Sequence, residues 1–164
     1  VGHIRLAEDG PLGYGKRGSF EGFCSGGGIA RLAQTRALCA IQAGSPPSFC
    51  PSFGDLEGIT AKTVGEAAQA GDSLAREIFE TVAHHLGRGL AVLVDVLNPE
   101  RIVIGSIYGR QHDLIAPTAL RALREEAHPR ALAACEVLPA GLGERVGDYA
   151  GLAVAAMALG EKDS

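Results

Sequence analysis

The stretch from Asp72 to Pro99 constrains this chain more than any other. Leu74, Ile78, Val82, Leu86, Leu90, Val94 and Leu97 recur near every fourth residue, and Phe79 and Leu93 widen the stripe. That period lines one face of an α-helix and fits no strand. Asp72 marks the start, because its carboxylate can accept a hydrogen bond from an unpaired N–H of the first turn. Asn98-Pro99 marks the stop, because the residue before a proline is biased away from helical geometry. A helix over 72–97 would be about 37 Å long at ~1.5 Å per residue. It has to bury its stripe, so the spacing predicts the main buttress of a core.

Shorter signals flank it. Arg101–Ile104 is a β-branched run closed by Gly105 and reads as a buried strand. A helix over 113–127 is expected next, with Pro117 tolerated only in its first turn. Residues 134–138 read as another strand, 142–148 as a glycine-rich turn and 146–159 as a final helix. Upstream, residues 1–6 read as a short strand, and its abrupt opening leads us to expect missing upstream sequence. Gly10-Pro11, Gly13, Gly15, Gly18 and Gly22 make 7–23 a loop in which no helix is expected. Together with Ser25–Gly28, they give a loop-rich segment over 1–28. A helix is expected to start near Ser25–Gly28 and run through Ile41, a loop occupies 44–58, and Thr60 or Thr63 caps a short helix through Ala70. Strands alternating with helices argue for an α/β sheet with packed helices, and 164 residues fit one domain.

Composition narrows the function classes. The net charge is −4 and the longest basic cluster is Lys16-Arg17, so no nucleic-acid surface is expected. No apolar run approaches the ~18 residues of a membrane span, and no signal peptide is visible, so the cytoplasm is the expected location. The four cysteines, Cys24, Cys39, Cys50 and Cys135, form no C-x-x-C pair and flank no histidine at zinc spacing.

Two places carry candidate chemistry. Ile102-Val103-Ile104-Gly105-Ser106 ends a strand in small residues, where a ligand can approach the backbone and the next helix points its N-terminus. A nucleotide site and an ordinary turn both fit that pattern. His3 and Glu21 are the hydrogen-bonding candidates near the N-terminal loop. A neutral imidazole and a carboxylate facing one pocket suit the paired donors and acceptors of sugar hydroxyls, although a lone histidine here can equally be structural.

Several segments, in order, resemble the ROK family of sugar kinases and sugar-sensing regulators. Gly2-His3-Ile4, Gly15-Lys16-Arg17-Gly18-Ser19-Phe20-Glu21 and Ser25-Gly26 are similar to its signature of Gly-His, then C-x-C-G-x-x-G-C-x-E, then Ser-Gly. Thr63-Val64, Ala67-Ala68 and Gly71-Asp72 resemble the approach to its long helix. Asn98 through Gly105 resembles its nucleotide-site strand, and Val146 through Ala153 its last helix. The resemblance implies the C-terminal lobe of an actin-like, ribonuclease-H-like ATPase fold with a mixed sheet and packed helices. It also implies sugar contacts from His3 and Glu21 and a nucleotide surface at Gly105 and Ser106. ATP and magnesium would be the cofactors, a hexose or N-acetylated hexosamine the substrate, and a homodimer the assembly.

The departures are as informative. The three zinc cysteines of the family fall on Leu12, Tyr14 and Ser19, which cannot supply thiolates, so no structural zinc is expected. Ile107 replaces the third glycine of a triple-glycine turn and is expected to crowd a nucleotide. The lobe carrying the D-x-G-x-T phosphate loop and the base aspartate lies outside the chain, so no catalytic residue is expected within it. Three readings follow: a sugar kinase represented by one lobe and inactive alone, a sugar-sensing regulator fragment, or a non-catalytic association module.

Overall fold

In the computed structural model, the structure describes residues 1–145, 149–154 and 156. The long helix forms as its spacing requires: α4 covers Ser73–Leu97, where α1 is Phe20–Cys24, α2 is Gly26–Gln42 and α3 is Ala61–Gln69. Asp72 is its N-cap, accepting from the Ala75 N–H at 2.9 Å, and Asn98 closes it in the left-handed region at φ 45°. Its buried face includes Ile78, Phe79, Val82, Leu86, Leu90 and Val94. The core gathers there, against α6 (His112–Glu126) above all. Gly87 lets the two backbones meet, since a methyl group on it would strike the Ala119 carbonyl of α6.

Two small sheets complete the described fold. β1 (Leu12–Gly13) and β2 (Lys16–Arg17) form an antiparallel hairpin. β3 (Arg101–Ile104) and β4 (Glu136–Pro139) form a parallel pair, with Arg101 opposite Glu136 and Ile104 opposite Pro139. Ile102, Ile104 and Val137 pack on the helical core. The crossover between β3 and β4 runs through α5 (Ile107–Arg110), α6 and α7 (Pro129–Leu132). No described helix is long and apolar enough to cross a membrane.

Several expectations need correction. The loop at 7–23 contains the hairpin and most of α1, because Ser19 caps a helix inside the glycine-rich stretch. The loop-rich segment 1–28 therefore already holds helix at Phe20–Cys24, while α2 starts at Gly26, within the expected 25–28. Residues 1–6 form no strand beyond a single bridge between Arg5 and Ser19. The loop at 44–58 ends in a 3₁₀ turn over Phe53–Gly58. Pro117 lies inside α6, past its first turn, and a separate four-residue α5 precedes it. The short α7, which the spacing does not announce, is capped by His128 and opened by Pro129. Of the expected helix over 146–159, residues 149–154 and 156 are helical. The others, like 146–148 of the expected turn, lie outside the described residues.

Asp72 does more than cap α4. Its other oxygen accepts from both the N–H and the hydroxyl of Ser48, at 2.6 and 2.7 Å, and so pins the 44–58 segment to the helix. Burial alone would raise this carboxyl's pKa, but the bonds from Ala75 and Ser48 outweigh burial and hold it below the usual range. The folded state thus binds the proton less readily than the unfolded chain. This contribution is complete above the unfolded pKa and lost as pH falls through the folded one. Asp72→Asn should lower Tm at neutral pH and flatten its decline below about pH 4, as thermal melts across pH would read.

Candidate functional site

The site begins with how α1 starts. A helix leaves its first N–H groups unpaired. Here Phe20 N–H donates to the Ile4 carbonyl and Glu21 N–H to the Gly2 carbonyl, each at 2.8 Å, while Gly22 N–H donates to Ser19 Oγ at 3.1 Å. The N-terminal segment uses its carbonyls to cap a helix, which is why it does not run on as a strand. The same bonds set Gly2 against Glu21: a methyl group on Gly2 would lie 3.2 Å from Glu21 Oε2.

Glu21 is half-buried. It lines a cavity of about 420 Å³ together with Gly2, Ser25, Gly105 and Ser106. Its carboxylate accepts no hydrogen bond and forms no ion pair among the described residues. The cavity has two characters. Its polar side is Gly2, Glu21, Ser25, Gly105 and Ser106, and its apolar bed is Phe20, Val82, Leu86, Ile104 and Ile115. Cys24, one turn beyond Glu21, also lines it. Burial, and then the nearby Glu21 charge, push its thiol well above the ordinary range, which makes it a poor nucleophile.

A second cavity of about 420 Å³ opens at the carboxyl ends of β3 and β4, lined by Gly105, Ser106, Gly109, Arg110, Pro139 and Ala140. Strand ends of this kind are where open α/β sheets hold ligands. Gly105 and Ser106 belong to both cavities. Ser106 holds φ 55° and ψ −124°, a conformation that favours glycine. Such strain persists only where the surroundings hold it, and it clusters at ligand sites.

Three of the four anticipated residues, Glu21, Gly105 and Ser106, therefore meet at one cavity. His3 does not line it. His3 is exposed, its carbonyl accepts from Lys16 Nζ at 2.7 Å, and its ring has no partner among the described residues. Ile107 turns into the Glu21 cavity and does not line the strand-end one, so it does not obstruct the latter. The helix expected to aim its N-terminus there is only the four-residue α5, too short for a strong dipole. Sequence reading misses Tyr108, which is 1 % exposed and lines the Glu21 cavity. Its position inside a glycine-flanked turn gives no signal of burial.

At the three positions where the resemblance implies thiolates stand Leu12 and Tyr14, both exposed, and Ser19, fully buried, none of which supplies a thiolate. Hydrogen bonds hold the loop instead. Ser19 Oγ donates to the Lys16 carbonyl at 3.2 Å, Arg31 Nη1 to the Leu12 carbonyl at 2.9 Å and Arg5 Nη1 to the Arg17 carbonyl at 3.1 Å. Excess EDTA is therefore expected to leave Tm unchanged. Ser19→Ala, by leaving the Gly22 N–H without its partner, should cost about 1–2 kcal/mol. Differential scanning fluorimetry reads both.

The profile of the ROK family matches residues 1–158. The glucokinase of Halalkalibacterium halodurans is 31 % identical over 153 residues, which make up 92 % of this chain and 45 % of that enzyme. The DNA-binding transcriptional repressor Mlc of Escherichia coli is 31 % identical over 133 residues, 79 % of this chain and 30 % of the repressor. A ROK family glucokinase from Streptomyces griseus, solved with glucose and AMPPNP, superposes with a TM-score of 0.68 at 29 % identity, over 89 % of this chain and 47 % of that one. The chain spans less than half the length of each of these relatives. Its α/β arrangement, with helices packed around a small parallel sheet, is that of the actin-like ROK sugar kinases. A profile match over nearly the whole chain and similarity to both enzymes and repressors of one group lead to one conclusion: this chain belongs to the ROK family.

Proposed function

We propose that the chain is the C-terminal lobe of a ROK sugar kinase, presenting the sugar-orienting side of the site and one wall of the nucleotide cleft. The observation that carries this reading is the turn Gly105–Ser106, which borders both the Glu21 cavity and the strand-end cavity. Phosphoryl transfer needs its two ligands end to end, and catalysis is then mostly positioning and charge stabilisation. A single turn touching two adjoining cavities supports such a juxtaposition.

In this reading the Glu21 carboxylate, without a protein partner, accepts from hydroxyls of a hexose or N-acetylated hexosamine. His3 sits on the segment stitched to α1 and bonds a further hydroxyl once its exposed ring turns inward. Both orient the sugar, and neither takes its proton. That role falls to an aspartate on the other lobe of the fold. ATP supplies the phosphoryl group when bound. Gly105 and Ser106 let its phosphates approach bare backbone at the end of β3. Magnesium would be held chiefly by those phosphates, since it ordinarily takes only one or two protein carboxylates beside them. Cytoplasmic location and a homodimer belong to the same reading.

Isothermal titration of the chain with glucose, mannose and N-acetylglucosamine should show saturable binding of at least one sugar. An ATP-coupled assay of the chain alone should show no turnover. Turnover by the chain alone would refute the missing-base assignment. Absence of binding by every sugar would refute the sugar site and favour an association module.

A sugar-sensing regulator is the second reading, favoured by the 31 % identity to Mlc. It uses the same sugar site without transfer, and DNA would be bound by a segment other than this acidic chain. Sequencing the DNA immediately upstream of the Val1 codon separates the two. A D-x-G-x-T loop with an Asn-Asp pair indicates the kinase, and a basic helix-turn-helix the regulator.

A further inference from the structure

Residues two apart lie about 200° apart around a helix, so Glu21 and Phe23 project from opposite faces of α1. Glu21 lines its cavity, whereas Phe23, 4 % exposed, packs away from it. The Phe23 ring meets Gly10, where a methyl group would strike it. It also stacks on the His85 ring of α4, with centroids 3.6 Å apart and planes 9° from parallel. His85 is half-buried. The Thr81 carbonyl can only accept, so His85 Nδ1 donates to it at 2.8 Å, and Nε2 is the nitrogen left to take a proton. The ring lines another cavity of about 420 Å³, which the sugar-kinase reading does not use. Arg36 of α2, Arg121 of α6, and Glu77, Glu80 and His84 of α4 share that cavity with it. Arg88 lies one turn further along α4, and the charge of α1, Glu21, is on its far face. Burial first, and then the nearby His84 and Arg88, hold the His85 imidazole below its ordinary range, against the opposing bond to Thr81. The unfolded chain thus binds this proton more readily than the folded one. The stack is complete above about pH 6.5 and weakens as pH falls below it.

We infer that His85 is a positioning residue of the Glu21 site: its neutral ring, stacked on Phe23, fixes α1 so that Glu21 faces its ligand, and protonation turns the ring out into its cavity and releases α1. By leaving the stack, a charged ring gains water and the carboxylates of Glu77 and Glu80. Phe23 then loses the ring that faces it. Because Glu21 is on the same short helix, a shift of α1 moves its carboxylate. The effect on sugar binding rests on the proposed reading of Glu21, whereas the movement of α1 does not.

The test is an NMR titration of the isotope-labelled chain from about pH 8 to about pH 5.5. It is run first without sugar and then with glucose, mannose and N-acetylglucosamine. The His85 ring and the amides of Phe23 and Cys24 are expected to shift with one common midpoint. Any sugar that binds should bind about fivefold or more weakly at the acid end. His85→Phe keeps on Phe23 a ring that cannot take a proton. There the amide step should vanish, and sugar affinity should stay at its neutral-pH value throughout. His85→Asn, whose amide can still donate to the Thr81 carbonyl, should also remove the step but bind sugar weakly at every pH, since no ring covers Phe23. Amide exchange in α4 as slow as in wild type verifies that both variants fold. A step that persists in His85→Phe would overturn the inference by assigning it to His3 or His84. Amides of α1 that ignore the His85 midpoint would also overturn it. If no sugar binds at any pH, the sugar reading fails, and a common midpoint would still uphold the hold of His85 on α1.

Discussion

Gly28→Ala is expected to lower Tm by roughly 5–10 °C, a loss of about 2–3 kcal/mol. Gly28 lies in the first turn of α2, fully packed behind the last turn of α1. A methyl group there would overlap the Gly22 carbonyl and come within 2.9 Å of the Glu21 carbonyl oxygen. Both obstacles are backbone, so no rotamer change relieves them, and α1 has to shift. The gain in helix propensity, up to about 1 kcal/mol, offsets only part of this. Gly27→Ala is the control: its methyl group would meet only the flexible Arg31 side chain, at 3.7 Å, and stability should change by less than about 1 kcal/mol. Because α1 carries Glu21, Gly28→Ala should also weaken ligand binding in the Glu21 cavity more than its stability loss alone accounts for. Melts in parallel with sugar titrations would check both. A Tm unchanged from wild type would show that α1 and α2 do not meet through bare backbone.

That close contact shows what can be read in the sequence and what cannot. The long helix is legible to within a residue, because Asp72, the apolar spacing and Asn98-Pro99 all point the same way. β3 is legible as a β-branched run closed by glycine, but not as the buried strand that run suggests, since Arg101 and Val103 are exposed. The region before Gly28 is not. There, glycine frequency points to loop, whereas Gly22, inside α1, lets the Pro11 carbonyl approach and Gly28, inside α2, lets the last turn of α1 pack against it. Ser19 stands in the sequence as a lost cysteine, and only the fold reveals it as the N-cap of α1. Of the site, Glu21, Gly105 and Ser106 share a cavity, while the ring of His3 remains outside. Sequence spacing cannot report that the carbonyls of Gly2 and Ile4 are bonded to the first turn of α1, since that depends on a tertiary turn between them. Nor can it show that Ile107, next to the unusual backbone of Ser106, lines one cavity and not the other.

Glu21→Gln separates the functional reading from a structural one more sharply than any other substitution. The carboxylate has no hydrogen-bond or ion-pair partner among the described residues, so the fold gives up no contact when its charge is removed. Stability without ligand should stay within about 0.5 kcal/mol of wild type. A carboxylate that accepts from sugar hydroxyls, by contrast, makes charge-assisted bonds worth about 1.5–3 kcal/mol. Glutamine keeps one acceptor and replaces the other with a donor, which mispairs with a hydroxyl already donating. The expected result is a Kd for the bound sugar raised about 10- to 100-fold with Tm unmoved. Calorimetric titration and melting of the same sample would read both quantities. Glu21→Asp, which retains the charge but withdraws it by one methylene, should fall between the two. Equal sugar affinity in wild type and Glu21→Gln would remove Glu21 from the sugar site. A fall in Tm with Glu21→Gln would instead mark the carboxylate as part of the packing of α1 against the N-terminal segment.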